Sequence, residues 1–367
     1  MREGWEYKKL NEVCDKGSSN IVISKLDNCN GNYPLFGASG LVKNIDFYHQ
    51  DKPYIGIVKD GAGVGRVNIY PAYSSLVGTM QYIFAKENCL LNYIKYFLIK
   101  LDLSHCVSGA TIPHIYFKDY GKAQIPVPSL STQESIVSEL DKINELISLK
   151  KEQLKDYDNL AQSIFYDMFG DPITNEKGWD TNKLETLTKS EGGGTPSKSK
   201  PEYWNGNIIW VSSKDMKSTY ISDSLIHITQ EGVNNSPAHL LPIGTILIVN
   251  RSGILKHTLP IAITTKEVTI NQDIKALVVN SSKTNNIYLL YCLKACSPFL
   301  LSKVKAVTVD SIDFAIFKKL PIPLAPLPLQ QAFAKRIEAI EQQKQLISSE
   351  IKDLETLLAS RMQYWFD

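Results

Sequence analysis

Two stretches of the chain carry the hydrophobic spacing of long amphipathic helices. In the first, from Gln133 to Phe169, apolar side chains follow one another at alternating steps of four and three residues. The second, from Gln330 to Phe366, repeats these steps 197 residues later, and neither stretch contains Gly or Pro. Such heptad spacing is typical of coiled coils. We therefore predict two long helices whose apolar seams bury each other.

One lysine interrupts the middle of each seam. Lys150 lies in the first and Lys344 in the second, and the 197-residue shift does not relate them. A charged seam position can specify the register of helix pairing at a cost in stability. Alternatively, its alkyl stem runs along a partly open seam while its ammonium stays in water, which is the simpler reading. The sequence leaves both readings open.

The repeat extends beyond the helices and divides the chain in two. Residues 4–10 (GWEYKKL) return as 178–184 (GWDTNKL) at an offset of 174, whereas 111–169 align without a gap to 308–366 at an offset of 197. The second half therefore carries 23 additional residues between similar ends. This pattern indicates a duplicated scaffold that presents two different surfaces.

Between these ends, short β-branched and aromatic runs alternate with turn residues. We predict strands at 54–58, 80–84, 208–211, 245–249, 259–264 and 274–279, and short helices at 92–101 and 286–295. Residues 125–128 and 320–328 should be extended, because Pro disfavours helix in the residue before it. The predicted class is α+β, with two tandem α+β domains (1–130 and 171–328), two long antiparallel coiled-coil helices (131–170 and 329–367) and a pseudo-two-fold internal repeat.

Composition fits an intracellular protein of at least two domains. The chain has 367 residues with 43% apolar content, no apolar run near 18 residues and no signal-peptide core, so we expect a cytoplasmic protein. Its six cysteines form no CxxC pair and are expected to be reduced. Cys292 and Cys296, one helical turn apart, are expected only to pack.

The charge is unevenly divided along the chain. Residues 131–170 hold four Lys against eight acidic residues, and 330–367 hold five basic against six acidic residues, so with a total of +2 the remaining residues carry +7. The predicted helices are mildly acidic and the predicted globular parts basic. A nucleic-acid partner for the globular parts is compatible with this asymmetry, which is modest.

No catalytic or metal-binding motif can be assigned. Residues 61–66 (GAGVGR) lack the ending of a phosphate loop, the six His show no metal spacing, and the Asn/Asp-Pro-Pro-aromatic motif of adenine methyltransferases does not occur. Residues 61–66 are either a tight strand connection or a loop whose backbone approaches a ligand such as DNA, with Arg66 as a phosphate or guanine partner.

Polar and basic side chains, interleaved with aromatics, are the remaining candidates for function. Such donors suit phosphates and base edges, although each one alone is equally compatible with a solvated loop. The candidate DNA-binding residues are Lys43, Lys59, Arg66, Gln81, Thr111 and His114 in the first half, and Thr195, Ser197, Lys198, Tyr203, Ser213, Lys214, Arg251, Lys256, Gln272 and Thr308 in the second.

The order of several short motifs resembles a known family, the specificity subunits of type I restriction–modification systems. These motifs are GGTPS at 193–197, YWNG at 203–206, LPIGTIL at 241–247, RSG at 251–253 and NQ at 271–272, with the repeated openings, the Pro-containing exits and Gln133/Gln330. No single motif is strong, but their order covers nearly the whole chain. The first half departs from the pattern, with Gly17-Ser18-Ser19-Asn20 in place of GGTPS.

The resemblance implies a DNA-reading subunit without chemistry of its own. Two target-recognition domains, held apart by the long helices, would each read one half of a bipartite double-stranded DNA site, and the helix length would set the gap. Two methyltransferase subunits would use S-adenosylmethionine, and motor-nuclease subunits would use ATP and Mg²⁺. This chain is expected to bind no cofactor or metal and to catalyse nothing. Because the first half departs from the pattern, the half-sites should differ.

Two other functions compete with this interpretation. A duplicated coiled-coil scaffold that binds only proteins would account for the seams, and salt-sensitive DNA binding would argue against it. A methyltransferase or nuclease acting alone is the second alternative, and the missing motifs argue against it.

Overall fold

The computed structural model describes residues 2, 4–26, 29–109, 111–303 and 310–367. The chain forms two compact units. Unit 1 comprises Met1–Glu152 with Ile347–Asp367, and unit 2 comprises Gln153–Leu346.

Unit 1 pairs a four-stranded antiparallel sheet with a smaller three-stranded sheet. Its elements are β1 (Glu6–Lys9), α1 (Leu10–Val13), β2 (Cys14–Ser18), β3 (Tyr33–Gly37), β4 (Gly40–Ile45), β5 (Tyr54–Val58), β6 (Val67–Tyr70), β7 (Ser75–Leu76), β8 (Met80–Ala85), α2 (Leu91–Leu101), α3 (Phe117–Tyr120), β9 (Gln124–Val127) and the start of α4 (Leu130–Phe169). The larger sheet has the order β2-β8-β5-β6, the smaller one β4-β3-β7, and β1 pairs with β9.

Unit 2 repeats this plan with additions. Its elements are the end of α4, then β10 (Thr181–Lys183), α5 (Leu184–Leu187), β11 (Thr188–Gly192), β12 (Trp204–Val211), β13 (Tyr220–Ile221), β14 (His227–Ile228), α6 (Gln230–Asn234), β15 (Ile246–Val249), β16 (Ile261–Thr264), β17 (Thr269–Ile270), β18 (Ile274–Val279), α7 (Asn286–Ala295), α8 (Ser297–Leu301), α9 (Phe314–Lys318), β19 (Pro321–Pro323) and the start of α10 (Leu327–Phe366). Its sheets are β11-β18-β15-β16-β13, β14-β12-β17 and β10-β19. The matching strand order, with β13 added at one edge, confirms the internal repeat and the α+β class.

Each helix and strand that the sequence pattern predicts is present in the structure. Each predicted strand lies within or overlaps one of β5, β8, β12, β15, β16 and β18, and the predicted short helices correspond to α2 and α7. Both long helices are confirmed at 40 residues each, and they begin at Leu130 and Leu327. The prediction that 320–328 is extended is therefore wrong for residues 327 and 328, because Pro is tolerated in the first turn of a helix, where its missing N–H is not needed. Within the described part of the chain, no helix is both long and apolar enough to span a membrane.

The repeated openings and exits pair with each other. β1 runs antiparallel to β9, with Glu6 opposite Val127, and β10 runs antiparallel to β19, with Thr181 opposite Pro323. The leucine that closes each opening motif, Leu10 or Leu184, is buried in the core of its unit. The GW…KL motif therefore joins the two ends of each globule, a pairing that the sequence analysis did not predict.

Segments of α4 and α10 pack antiparallel within each unit. In unit 1 the Lys151 ammonium lies 2.8 Å from the Glu355 carboxylate. The predicted seam positions are all buried or half-buried, which confirms the seam. In the last turn of α4, the alternating steps select Ile164 and Met168 as seam positions. Phe165 and Phe169 are buried more deeply than these two residues, because the phenylalanine rings pack into the core of unit 2.

Both seam lysines form ion pairs across the helix pair. Lys150 Nζ lies 2.6 Å from Glu350 in unit 1. In unit 2, Lys344 Nζ lies 2.7 Å from Asp158 and 2.9 Å from Glu341, and its side chain is only 17% exposed. The reading in which its ammonium stays in water is therefore wrong for Lys344. Whether either pair fixes the register stays a prediction.

Candidate nucleic-acid interface

In unit 2, the loop after β15 is fixed to the turn before β18. The backbone N–H groups of Asn250 and Arg251 both donate to the carbonyl oxygen of Asp273, at 2.8 and 3.2 Å. Asn250 in turn accepts the N–H of Ile312 at 3.0 Å, which brings the segment before α9 to the same place. Three separate segments therefore meet at one end of the larger sheet.

An ion pair organises the surface of this meeting point. Arg251 Nε donates to Asp273 Oδ1 at 2.9 Å, and Arg251 NH2 lies 2.8 Å from the same oxygen. Asp273 is itself held by Asn271, whose Nδ2 donates to its Oδ2 at 3.3 Å and whose Oδ1 accepts its N–H at 3.1 Å. The Arg251 side chain is 53% exposed and that of Asp273 is 25% exposed. The guanidinium is thus held in place while facing solvent.

The Gly-Gly-Thr segment lies against the same turn. A Cβ on Gly193 would come within 2.2 Å of the Ile270 carbonyl oxygen and 2.3 Å of that of Asn271, so this approach requires glycine. Thr195 Oγ1 then donates to Gln272 Oε1 at 2.5 Å. The structure therefore brings together the predicted residues Thr195, Arg251 and Gln272.

One buried polar atom at this site has no hydrogen-bond partner among the residues that the structure describes. Asn250 Oδ1 is shielded from solvent and accepts no hydrogen bond from the described residues. A buried unsatisfied oxygen costs about 1–3 kcal/mol. A destabilising group of this kind is expected at a binding site, and it supports a binding role for the loop after β15.

The other predicted residues of unit 2 are not joined to this cluster. No hydrogen bond within the described ranges connects Ser197, Lys198, Tyr203, Ser213, Lys214 or Lys256 to Arg251. Lys198, Lys214 and Lys256 are exposed, and within those ranges they form no ion pair. Such lysines suit non-specific phosphate contacts. Thr308 lies outside the described residues.

In β11, the strand that precedes Gly193, a carboxylate is held in its ionised form. Glu191, at the end of β11, accepts a hydrogen bond from Lys189 at 2.7 Å and also contacts His239 Nε2 at 2.5 Å. These two partners, Lys189 above all, lower the pKa of the Glu191 carboxyl below its usual value. The negative charge of the Glu191 carboxylate is therefore compensated by its neighbours, above all by the Lys189 ammonium.

Unit 1 has a corresponding backbone arrangement at the glycine-rich loop. In each unit, we use the word frame for the contact between the loop after the central strand (β5 or β15) and the segment before the short helix (α3 or α9). Residues 61–65 connect β5 to β6 as a tight turn, with φ of +82° to +89° at Gly61, Gly63 and Gly65. Ile115 N–H donates to the Lys59 carbonyl at 2.9 Å, and Asp60 bridges to His114. The strand-connection reading of this loop is confirmed, and the loop places Lys59 beside His114.

The remaining predicted residues of unit 1 lie in different surroundings. Arg66 is exposed and its NH1 donates to the Ala38 carbonyl at 3.2 Å, on the β3–β4 turn. Thr111 is also exposed. Lys43 is half-buried and donates to the Leu26 carbonyl at 2.8 Å.

The expectation for Gln81 needs correction. Its side chain is 7% exposed and its Oε1 accepts the Tyr120 hydroxyl at 2.6 Å, so it supports the core. Sheet register explains the error, since Met80 lies opposite Val58 and Ile274 lies opposite Val249. The counterpart of the turn at 271–273 is therefore 77–79, whereas Gln81 lies inside β8.

The two frames are equivalent, although their side chains differ. Ile115 and Ile312, related by the 197-residue shift, donate to Lys59 and Asn250, respectively. The bridge between Asp60 and His114 in unit 1 likewise corresponds to that between Arg251 and Ser311 in unit 2. One backbone arrangement thus presents Lys59, Asp60 and His114 in one unit, and Asn250, Arg251 and Ser311 in the other.

Sequence reasoning missed the acidic members of these clusters. Asp60 and Asp273 each follow or adjoin a predicted site residue, but an isolated acid in a turn carries no signal of its own. Pairing Asp273 with Arg251 requires knowing that β15 and β18 are neighbours. Within the described ranges, no group of His, Cys, Asp and Glu could hold a metal ion.

Comparison with known proteins identifies relatives of this chain. The family model for the type I restriction modification DNA specificity domain matches residues 2–156 and 176–356. The type I restriction enzyme EcoR124I/EcoR124II specificity subunit of Escherichia coli is 31% identical over 268 residues, which cover 69% of this chain and 63% of that protein. The MjaIX specificity subunit of Methanocaldococcus jannaschii is 26% identical over 194 residues, covering 52% of this chain and 44% of that protein. Both matches span less than two thirds of the relatives' lengths.

Solved structures share the fold. The S subunit of a type I restriction–modification system from M. genitalium aligns with a TM-score of 0.58 at 14% identity, covering 99% of this chain and 96% of that one. A chain from a structural study of complex assembly and conformational transition of the type I R-M system also gives 0.58, at 17% identity, covering 100% and 98%. With the family model matching most of its length, this chain belongs to the type I restriction–modification DNA specificity family.

Proposed function

We propose that this chain reads a bipartite double-stranded DNA sequence, with one half-site assigned to each unit. The observation that carries the proposal is the pair of equivalent frames with different side chains, Lys59, Asp60 and His114 in unit 1 against Asn250, Arg251 and Ser311 in unit 2. Base edges are distinguished by the pattern of donors and acceptors that faces them. Different side chains on one frame therefore favour two different half-sites.

Catalysis is assigned to partner subunits. The proposal follows from membership of a specificity family. Two methyltransferase subunits would supply S-adenosylmethionine-dependent adenine methylation, and motor-nuclease subunits would supply ATP- and Mg²⁺-dependent cleavage. This chain would bind none of these cofactors and would select the sequence.

The long helices offer a surface for the methyltransferase subunits. Leucines stand exposed at equivalent positions, with Leu149 at 54% and Leu346 at 59%, and Leu160 at 46% and Leu357 at 45%. The 197-residue shift relates the members of each pair. By the bounds of the two units, Leu149 and Leu357 belong to unit 1, and Leu346 and Leu160 belong to unit 2. Exposed leucines at equivalent positions in both units suit two copies of one partner.

The direct test is to map methylated adenines in cells that express the full chain with its methyltransferase subunits. We expect one motif made of two dissimilar half-sites separated by unspecified bases, and no methylation from the chain alone with S-adenosylmethionine. A single continuous motif would contradict the bipartite assignment. Absence of salt-sensitive DNA binding by the assembled complex would instead favour the scaffold function.

A further inference from the structure

We propose that Arg251 reads a guanine in the half-site of unit 2 and that Asp273 is its positioning residue. The inference rests on the proposed function, because it presupposes that unit 2 binds duplex DNA. It goes further by naming the residue, the base and the groove. Arginine donates in parallel to guanine O6 and N7, which both face the major groove.

Among the described residues, one edge of the Arg251 guanidinium has an acceptor and the other edge has none. Nε and NH2 both contact Asp273 Oδ1, at 2.9 and 2.8 Å. Since arginine carries five N–H donors in a planar fork, the outer edge formed by NH1 and NH2 keeps two donors. Within the described ranges, NH1 has no acceptor. That outer edge has the geometry that a bidentate guanine contact requires.

The surroundings hold this arginine by its backbone as well as by its side chain. The N–H groups of Asn250 and Arg251 both donate to the Asp273 carbonyl, and Asn271 holds the Asp273 carboxylate from the other side. A fixed side chain loses less conformational entropy when it binds. These hydrogen bonds fix Arg251 in place and therefore favour recognition of a base over a mobile contact with phosphate.

A purely structural ion pair is the competing account. Exposed ion pairs usually contribute about 0–1 kcal/mol, and such a pair would need no free outer edge. The two accounts differ in what a substitution changes. Loss of a structural pair alters stability, whereas loss of a base reader alters the preference at one base pair.

Unit 1 offers no equivalent arginine. At the position that corresponds to Arg251 stands Asp60, which pairs with Lys59 at 2.5 Å. A carboxylate cannot donate to guanine O6 or N7. The inference therefore confines this guanine contact to the half-site of unit 2.

The experiment uses the full chain assembled with its methyltransferase subunits. Methylation rates are measured on duplexes in which each base pair of both half-sites is replaced in turn. Arg251→Ala should reduce the preference for one G·C pair by about 10- to 100-fold and leave the other half-site unchanged. Arg251→Lys should restore that preference only in part, because an ammonium lacks the fork. Asp273→Asn should weaken the same position and no other.

Lys198→Ala is the matched control. This exposed lysine belongs to the same unit, and as a phosphate contact its loss should weaken all duplexes uniformly. The thermal midpoint of each variant separates misfolding from altered recognition. If Arg251→Ala fails to fold, Arg251→Lys and Asp273→Asn decide the matter.

The possible outcomes distinguish a failure of the role assigned to Arg251 from a failure of the proposed DNA-reading function. If the wild-type complex shows a bipartite preference and the Arg251 and Asp273 variants keep it at every position, the inference is overturned. A change confined to an A·T pair would also overturn it. If the wild-type complex shows no sequence preference, the proposed function itself fails.

Discussion

Unit 1 and unit 2 share their supporting residues and differ in the residues that they expose. In the cores, Tyr93 and Tyr288 donate to equivalent carbonyls, of Pro126 at 2.9 Å and Pro323 at 2.5 Å. At the surface, the equivalent positions hold Asp60 in unit 1 and Arg251 in unit 2. The comparison teaches that internal repetition here marks architecture, whereas departure from repetition marks the candidate binding surface.

The largest effect is expected at the phenylalanine that ends each long helix. Phe169 packs against Tyr288 and Phe333 in unit 2, with ring centroids 4.7 and 5.4 Å away. Phe366 packs against Tyr93 and Phe97 in unit 1, at 5.0 and 5.8 Å. Phe169→Ala and Phe366→Ala should each lower the free energy of unfolding by about 3–5 kcal/mol, as measured by chemical denaturation. If only one of them destabilised the chain, the equivalence of the cores would be refuted.

A smaller effect is expected at the glutamine near the start of each long helix. Gln133 Oε1 accepts the Leu90 N–H at 2.9 Å and its Nε2 donates to Pro128 at 3.0 Å. Gln330 makes the corresponding bonds to Asn285 and Ala325, at 2.8 and 2.7 Å. Alanine at either position leaves buried polar groups unsatisfied, so each substitution should cost about 1–3 kcal/mol.

The neighbouring residues supply the control for the glutamines. Glu134 and Gln331 are exposed, so Glu134→Ala and Gln331→Ala should change the free energy of unfolding by less than about 0.5 kcal/mol. If the alanine variants of Gln133 and Glu134, or those of Gln330 and Gln331, lost the same free energy of unfolding, the glutamine side chains would not be what joins helix and globule.

Lys294 distinguishes the two units through the pH dependence of stability. Burial lowers its pKa to about 8, Asp158 and Glu341 oppose this shift, and Lys344 adds to it. The unfolded chain, with an ordinary lysine pKa near 10.5, binds a proton that the folded chain has lost. Stability from this group therefore rises between about pH 8 and 10.5, by at most about 1.4 kcal/mol per pH unit.

The measurement is denaturation of the full chain across this pH range, with Lys294→Met as the variant. The variant should lose the rise relative to the wild type. Unit 1 has Ile99 at the corresponding position of α2, so Ile99→Met serves as the control and should leave the rise intact. Equal pH dependence in the wild type and Lys294→Met would contradict the account.

The smallest effect on stability is expected at the Glu139 carboxylate in unit 1. Glu139 accepts hydrogen bonds from Arg361 and from Trp365 Nε1, the latter at 2.9 Å. The Arg361 guanidinium in particular lowers the pKa of the Glu139 carboxyl. The associated stability is therefore present above about pH 4.5 and is lost as pH falls through the lowered pKa. Glu139→Gln should remove this acid-sensitive part, and unaltered acid denaturation would exclude the contribution.

The heptad pattern was sufficient to predict the long helices because their period is local in sequence. Strands such as Tyr54–Val58 were equally evident from their run of apolar residues. Contacts between distant segments were not accessible in this way. The pairing of β1 with β9, the burial of Gln81 and the clamp of Asp273 on Arg251 all depend on which strands become neighbours.

The central claim is that each unit reads its own half of the DNA target. Its most direct test maps methylated adenines genome-wide for three assembled complexes, which carry the wild-type chain, Arg251→Ala, or the double variant Lys59→Ala, His114→Ala. The account predicts a bipartite wild-type motif in which Arg251→Ala relaxes one half and the double variant relaxes only the other. If either variant relaxed both halves, or if both variants relaxed the same half, the assignment of one half-site to each unit would be contradicted.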